Sequence, residues 1–68
     1  MPTLTIKQRT LIATLADCDM RPAKAALVLG CHLNTVYNRM DKIQKQTGLD
    51  PRSFHDLCKL YRLMEEQS

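Results

Sequence analysis

Two asparagines stand four residues apart, at Asn34 and Asn38, and Tyr37 lies beside the second of them. In an α-helix this spacing places both amides on one face, where each can donate and accept hydrogen bonds. An asparagine amide can pair in two places with adenine N6 and N7 in the major groove of DNA. The three residues therefore predict a base-reading surface, although Tyr37 fits a partly buried aromatic that closes the core equally well.

Basic and hydroxyl side chains accompany the asparagines, and they suit the phosphate oxygens of a DNA backbone better than base edges. We expect phosphate contacts from Arg21, Lys24, His32, Thr35, Arg39, Lys42 and Lys45. Two alternatives stay open: Arg21 and Lys24 also fit a solvated helix face, and His32 also fits a cap for the helix that follows it. Affinity that rests on such cations should fall steeply with salt.

Asp41 is the exception on this face, because phosphates would repel its carboxylate. It could pair with Lys45 one turn later or accept a hydrogen bond from cytosine N4, and we expect the pairing with Lys45. Three further cations, Arg52, Lys59 and Arg62, lie outside this stretch and should form a solvated face.

Two helices joined by a short corner must hold these side chains in place. The first run is small and apolar, which lets a second helix pack closely against it, above all at Ala26. It stops at Gly30, where a glycine tolerates the positive φ of a helix end. The second run carries a stripe at helical spacing that should be buried opposite the asparagines. The stripe consists of Val36, Met40, Ile43 and Thr47. Residues 21–47 therefore predict a helix-turn-helix.

The chain as a whole predicts an all-α fold, because 44% of its residues are hydrophobic, few are aromatic and no stretch alternates like a strand. We expect one small four-helix domain over residues 1–68, with helices at about 6–18, 22–29, 33–46 and 54–66. An aspartate of the connection, Asp17 or Asp19, or a polar group nearby, could start the second helix, and Pro22 suits its first turn.

Capping patterns mark the other helix ends. Thr5 with Gln8 and Ser53 with Asp56 each have the spacing of a capping signature. Apart from the cap, Gln8 should face solvent. Gly48 is placed to end the third helix, and we expect a Schellman motif there.

The fourth helix is unusually apolar, and its nonpolar residues cover more than one stripe. Packing one face against the domain should leave others, such as Leu60 or Leu63, exposed in a monomer. We therefore expect a homodimer interface, with or without the first helix, formed by Leu57, Leu60, Tyr61, Leu63 and Met64. The alternatives are a core that wraps this helix more fully, or a few leucines tolerated at the surface.

A formal charge of +3 is compatible with a polyanionic partner without requiring one. No apolar stretch approaches the roughly 18–20 residues of a membrane span, and the first residues lack the apolar core of a signal peptide. We therefore expect a cytoplasmic protein that does not enter membranes. The odd cysteine count, Cys18, Cys31 and Cys58, contains no C-x-x-C pair and predicts buried free thiols. A metal site at Cys31 and His32 would need adjacent ligands, which suit tetrahedral geometry poorly, so we expect neither metal nor cofactor.

Three short segments carry a family resemblance. The runs from His32 to Val36, from Arg39 to Ile43 and from Thr47 to Asp50 resemble the C-terminal helix-turn-helix of the PucR (purine-catabolism regulator) and sugar-diacid regulator family. The resemblance covers most of the chain. A weaker similarity to the Fis-type helix-turn-helix rests on a hydroxyl residue followed by an aliphatic one, here Thr35 and Val36.

Membership in that family would imply a DNA-binding homodimer, and in the family this domain ends a longer regulator whose other parts sense a signal. This chain contains no sensing domain, so we expect either a stand-alone regulator or a piece of something larger. Tyr37 and Asn38 depart from the family pattern, in which a basic residue followed by an aromatic one is more frequent. The DNA sequence that members of the family recognise therefore cannot be assigned to this chain.

The function that these observations favour is sequence-specific binding of double-stranded DNA by a transcriptional regulator. Two recognition helices related by a twofold axis would read a palindrome in major grooves about 34 Å apart. The alternative is a small helical interaction module that docks a protein partner through its apolar C-terminal helix. An enzyme is not expected, because His32, His55, Cys31 and Asp50 form no nucleophile–base–orienter set and no glycine-rich phosphate loop is present.

Overall fold

The computed structural model describes residues 3–67, in which four helices and no strand occur. The helices are α1 (Ile6–Asp17), α2 (Pro22–Leu29), α3 (Leu33–Thr47) and α4 (Phe54–Glu66). The all-α prediction is therefore confirmed, and every predicted helix end lies within one residue of the observed one.

A capping box explains where α1 begins, and a serine N-cap explains where α4 begins. The Thr5 hydroxyl accepts a hydrogen bond from the Gln8 backbone N–H (3.1 Å), and the Gln8 side chain accepts one from the Thr5 N–H (2.9 Å). Ser53 likewise accepts from the Asp56 N–H at the start of α4. The expectation that Gln8 faces solvent was wrong: the residue is 7% exposed, and its amide donates to the Gln46 side chain at 3.1 Å. That bond joins α1 to α3, a contact that a local capping pattern does not encode.

The corner between α2 and α3 is a Schellman motif built on Gly30, whose φ is +68°. The Cys31 N–H donates to the Ala26 carbonyl (3.0 Å), and the Gly30 N–H donates to the Leu27 carbonyl (3.3 Å). These bonds satisfy carbonyls at the end of α2 and turn the chain directly into α3.

The end of α3 differs from the expected Schellman motif. Gly48 has a φ of +76°, and its N–H donates to the Gln44 carbonyl at 2.8 Å. The next amide, of Leu49, donates to the Thr47 hydroxyl at 3.1 Å instead of to the helix backbone. The motif is therefore the simpler left-handed cap, because the threonine side chain takes the second donor.

The connection between α1 and α2 is conformationally strained. Asp19 and Met20 have φ values of +54° and +63°, a region that costs non-glycine residues roughly 1–2 kcal/mol each. The Met20 N–H donates to the Leu15 carbonyl at 2.7 Å, which closes the turn. The expectation that a side chain of the connection caps α2 was wrong, since Arg21 occupies the cap position without a side-chain hydrogen bond. Pro22 lies in the first turn as predicted.

α1 lies at the centre of the domain and packs against each of the other three helices. Its buried Leu11, Ile12 and Leu15 form the middle of one hydrophobic core. Ala25 and Ala26 of α2 are buried too, and their small side chains allow α2 and α3 to approach closely. The two ends of the described chain meet, because the Leu4 N–H donates to the Gln67 side-chain oxygen at 2.9 Å.

The core wraps α4 more fully than we expected. Leu57, Leu60 and Leu63 are 4%, 0% and 7% exposed, so the expectation that leucines of this helix would be left uncovered was wrong. They belong to the hydrophobic core, and α4 packs against α1, which covers them.

Burial of the thiols was predicted correctly for only one cysteine. All three are free, but Cys18 alone is buried, whereas Cys31 is half-buried and Cys58 is exposed. Among residues 3–67, no helix combines the length and the apolarity needed to cross a membrane.

Candidate nucleic-acid interface

α3 presents a continuous polar face to solvent. Asn34, Asn38, Asp41 and Lys45 are all exposed on it. Val36, Met40 and Ile43 are at most 1% exposed on the opposite side of the helix. Because these core contacts fix the rotation of α3 about its axis, the asparagines are held outward on a rigid element.

His32 caps α3. Its Nδ1 accepts a hydrogen bond from the Asn34 backbone N–H at 3.2 Å, so the capping alternative is observed. When Nδ1 accepts, the neutral ring carries its proton on Nε2, which points a donor away from the cap. Capping and phosphate binding by His32 are therefore compatible.

Arg52 contacts the outer face of α3, which sequence analysis did not anticipate. Its guanidinium Nη2 lies 2.8 Å from Asp41 Oδ1, and its Nη1 lies 3.6 Å from Asp50 Oδ1. Asp41 thus pairs with Arg52 rather than with Lys45 among residues 3–67, and Arg52 is not simply solvated. The hydrogen bond to Asp41 raises the pKa of Arg52 above its ordinary value.

The same guanidinium lies over the Tyr37 ring, 5.9 Å from its centroid, a cation–π geometry. Tyr37 remains 39% exposed and does not close the core. A backbone turn carries Arg52 back to α3, since the Arg52 N–H donates to Asp50 Oδ1 at 2.9 Å. The Asp-Pro-Arg sequence could have predicted the turn itself. It could not have predicted that Arg52 points toward α3, because the direction of the turn depends on how α4 packs.

The residues that the sequence predicts to contact phosphates are all at least partly exposed. Arg21, Lys24, His32, Lys42 and Lys45 are exposed, and Thr35 and Arg39 are half-buried. They come from the start of α2, the corner and α3, which follow one another in the chain.

An apolar groove of about 630 Å³ lies on another part of the surface, between α4, the end of α1 and the α1–α2 connection. Phe54 is 71% exposed at its edge, Tyr61 is 36% exposed, and Cys58 and Met20 line it as well. We call this opening the α4 groove. Of the predicted dimer contacts, Tyr61 and Leu57 line this groove, although Leu57 is itself buried.

No group of three or more His, Cys, Asp or Glu side chains within residues 3–67 is arranged to hold a metal ion. Asp41 and Asp50 lie near each other but contact Arg52, so they form an ion-pair cluster.

Residues 8–64 match the family model of the PucR C-terminal helix-turn-helix domain. The chain belongs to this family. The match to the PucR domain begins within α1 and ends within α4, so all four helices contribute to it. Membership indicates a DNA-binding regulator, and PucR helix-turn-helix domains are typically non-enzymatic. No curated protein and no solved structure showed a significant match to the chain.

Proposed function

We propose that this domain binds duplex DNA sequence-specifically by placing α3 in the major groove, as part of a transcriptional regulator. The observation that supports the proposal best is the exposed face of α3 at Asn34 and Asn38, fixed in rotation by the buried face behind it. Side chains of this length are rigid enough to present donor and acceptor pairs to adenine, and each such contact is worth roughly 1–3 kcal/mol of discrimination.

Tyr37 joins the asparagines in the proposed reading surface, and Arg52 above its ring becomes a further candidate for DNA contact. We propose the same phosphate-binding residues that the sequence predicts, since each of them is at least partly exposed. They are Arg21, Lys24, His32, Thr35, Arg39, Lys42 and Lys45.

We further propose that two copies act together on a palindromic site. One helix-turn-helix grips only a few base pairs, and a twofold pair would read major grooves about 34 Å apart. Because Leu57, Leu60 and Leu63 are buried and Met64 packs against the core, the proposed contact moves to the α4 groove, where Tyr61 is exposed. The groove involves no residue of α3, so a second copy seated there leaves both reading faces free.

Selection of bound sequences from random duplex DNA at near-physiological salt tests the proposal, with the oligomeric state followed in parallel by sedimentation equilibrium. Recovery of a palindrome by a dimeric protein is the expected result. Failure to enrich any sequence, with binding to a protein partner that is insensitive to salt, would favour the interaction-module alternative.

A further inference from the structure

A second cleft, of about 610 Å³, opens between the first turn of α1 and one flank of α3. Three cations line it: Lys7 from α1, and Arg39 and Lys42 from α3. Lys7 is exposed and lies outside the helix-turn-helix in the sequence, where nothing distinguishes it from an ordinary solvated lysine. The fold alone brings it to the other two.

The charges in this cleft are unbalanced. The remaining lining residues, Thr5, Ile6, Gln8 and Gln46, are uncharged, and none of the three cations forms an ion pair within residues 3–67. Three like charges around one opening repel each other, and an anion placed between them would relieve that repulsion. The guanidinium of Arg39 can also offer two parallel donors to a phosphate group.

The walls of the cleft are tied together. Gln8 of α1 donates to Gln46 of α3 at 3.1 Å, and Gln46 in turn donates to the Thr3 carbonyl at 3.3 Å. These bonds hold the first turn of α1 against α3, so the backbone positions that carry the cations are set before a ligand arrives. A preformed site loses less conformational entropy on binding.

The cleft lies beside the exposed asparagine face, because Arg39, Lys42 and Gln46 follow one stripe that neighbours Asn34 and Asn38 on α3. When a helix occupies the major groove, the phosphates of the groove walls lie along its flanks. We propose that Lys7, Arg39 and Lys42 together hold a DNA backbone phosphate, with α1 acting as a clamp from outside the helix-turn-helix. This inference rests on the proposed DNA-binding function.

The test is the salt dependence of binding by the full chain to a mixed-sequence duplex of about two helical turns, measured by fluorescence anisotropy. For one lost phosphate contact, Lys7→Gln should lower the magnitude of the slope of log K against log salt by about 0.9, and weaken binding about eightfold near 0.1 M salt. Lys7→Arg should restore both. The matched control Lys59→Gln removes the same charge from an exposed position on α4 and should change the slope far less.

Equal slopes for Lys7→Gln and Lys59→Gln, with the wild-type chain binding normally, would overturn the clamp and leave the proposed function standing. Absence of wild-type binding to any duplex would overturn both. Because Lys7 is exposed, thermal unfolding of the variants should match that of the wild type, and a lowered melting temperature in Lys7→Gln with an unchanged slope also contradicts the clamp.

Discussion

A carboxylate sits among the hydrogen-bonding groups on the outer face of α3, and Arg52 neutralises it. The Asp41 and Arg52 side chains are 53% and 39% exposed, so water screens their 2.8 Å contact. Surface pairs of this kind contribute about 0–1 kcal/mol to stability. The larger consequence concerns charge, because the pair presents no net charge to a phosphate, whereas either partner alone would.

Asp41→Asn should therefore tighten DNA binding and steepen its salt dependence, since it removes a repelling charge and leaves Arg52 with only the longer contact to Asp50, at 3.6 Å. The free energy of unfolding should fall by less than about 1 kcal/mol. Anisotropy titrations over a series of salt concentrations and thermal melts measure the two effects. Asp17→Asn, which makes the same charge change at the exposed end of α1, is the control. If the two variants gain affinity equally, the effect is long-range and the ion pair plays no part.

Asn38→Ala should reduce the preference for a selected site over mixed-sequence DNA by roughly 1–3 kcal/mol, because a bidentate contact with adenine is lost. Its salt slope should stay unchanged, since no phosphate contact is removed. Competition titrations with both duplexes measure the preference. Gln44→Ala removes another exposed amide from α3 and should leave it intact. An equal loss on both duplexes would show that Asn38 reads no base.

At the scale of the elements, the angle between α2 and α3 depends on the left-handed backbone of Gly30. A Cβ placed there would meet no atom within 4 Å, so any cost of a side chain is backbone strain alone. Gly30→Ala should lower the free energy of unfolding by roughly 1–2 kcal/mol. Gly30→Asn should cost less, because asparagine tolerates this region better. Urea unfolding measures both. Equal costs for the two residues would argue against strain as the cause.

The helices could be predicted from sequence because their signals are local. Thr5 with Gln8, the glycine at position 30 and the serine at 53 each fix a helix end through neighbours a few residues away. The contacts that sequence analysis missed are long-range. Gln8 bonds across to α3, and Arg52 reaches Asp41 from eleven residues away, so both contacts exist only after the helices pack.

The part of the candidate site that depends on local helix spacing could also be predicted from sequence. Helical spacing alone placed Asn34 and Asn38 on the outer face, since the stripe behind them had to be buried. The cations of the second cleft could not be found this way, because Lys7 and Lys42 are thirty-five positions apart and only the packing of α1 against α3 brings them to one opening.

At the scale of the whole molecule, the α4 groove lies apart from α3, since no residue of α3 lines it. Phe54→Ser should weaken self-association with little effect on folding, because Phe54 is 71% exposed. Leu60→Ala provides the contrast: it removes a fully buried side chain and should cost about 2–5 kcal/mol of stability. Sedimentation equilibrium and thermal melts separate the two outcomes. Unchanged self-association in Phe54→Ser would place the contact between copies elsewhere.

The hydrogen bond from Leu4 to Gln67 joins positions sixty-three residues apart. In a domain cut to residues 3–67, the two ends could therefore be joined by a short Gly-Ser bridge without disturbing any helix. Such a ring would restrict the unfolded chain, and the loop-closure entropy removed in this way would raise the melting temperature. Because the bridge would join positions outside α2 and α3, a cyclic form offers a heat-resistant scaffold in which the proposed base-reading residues can be exchanged.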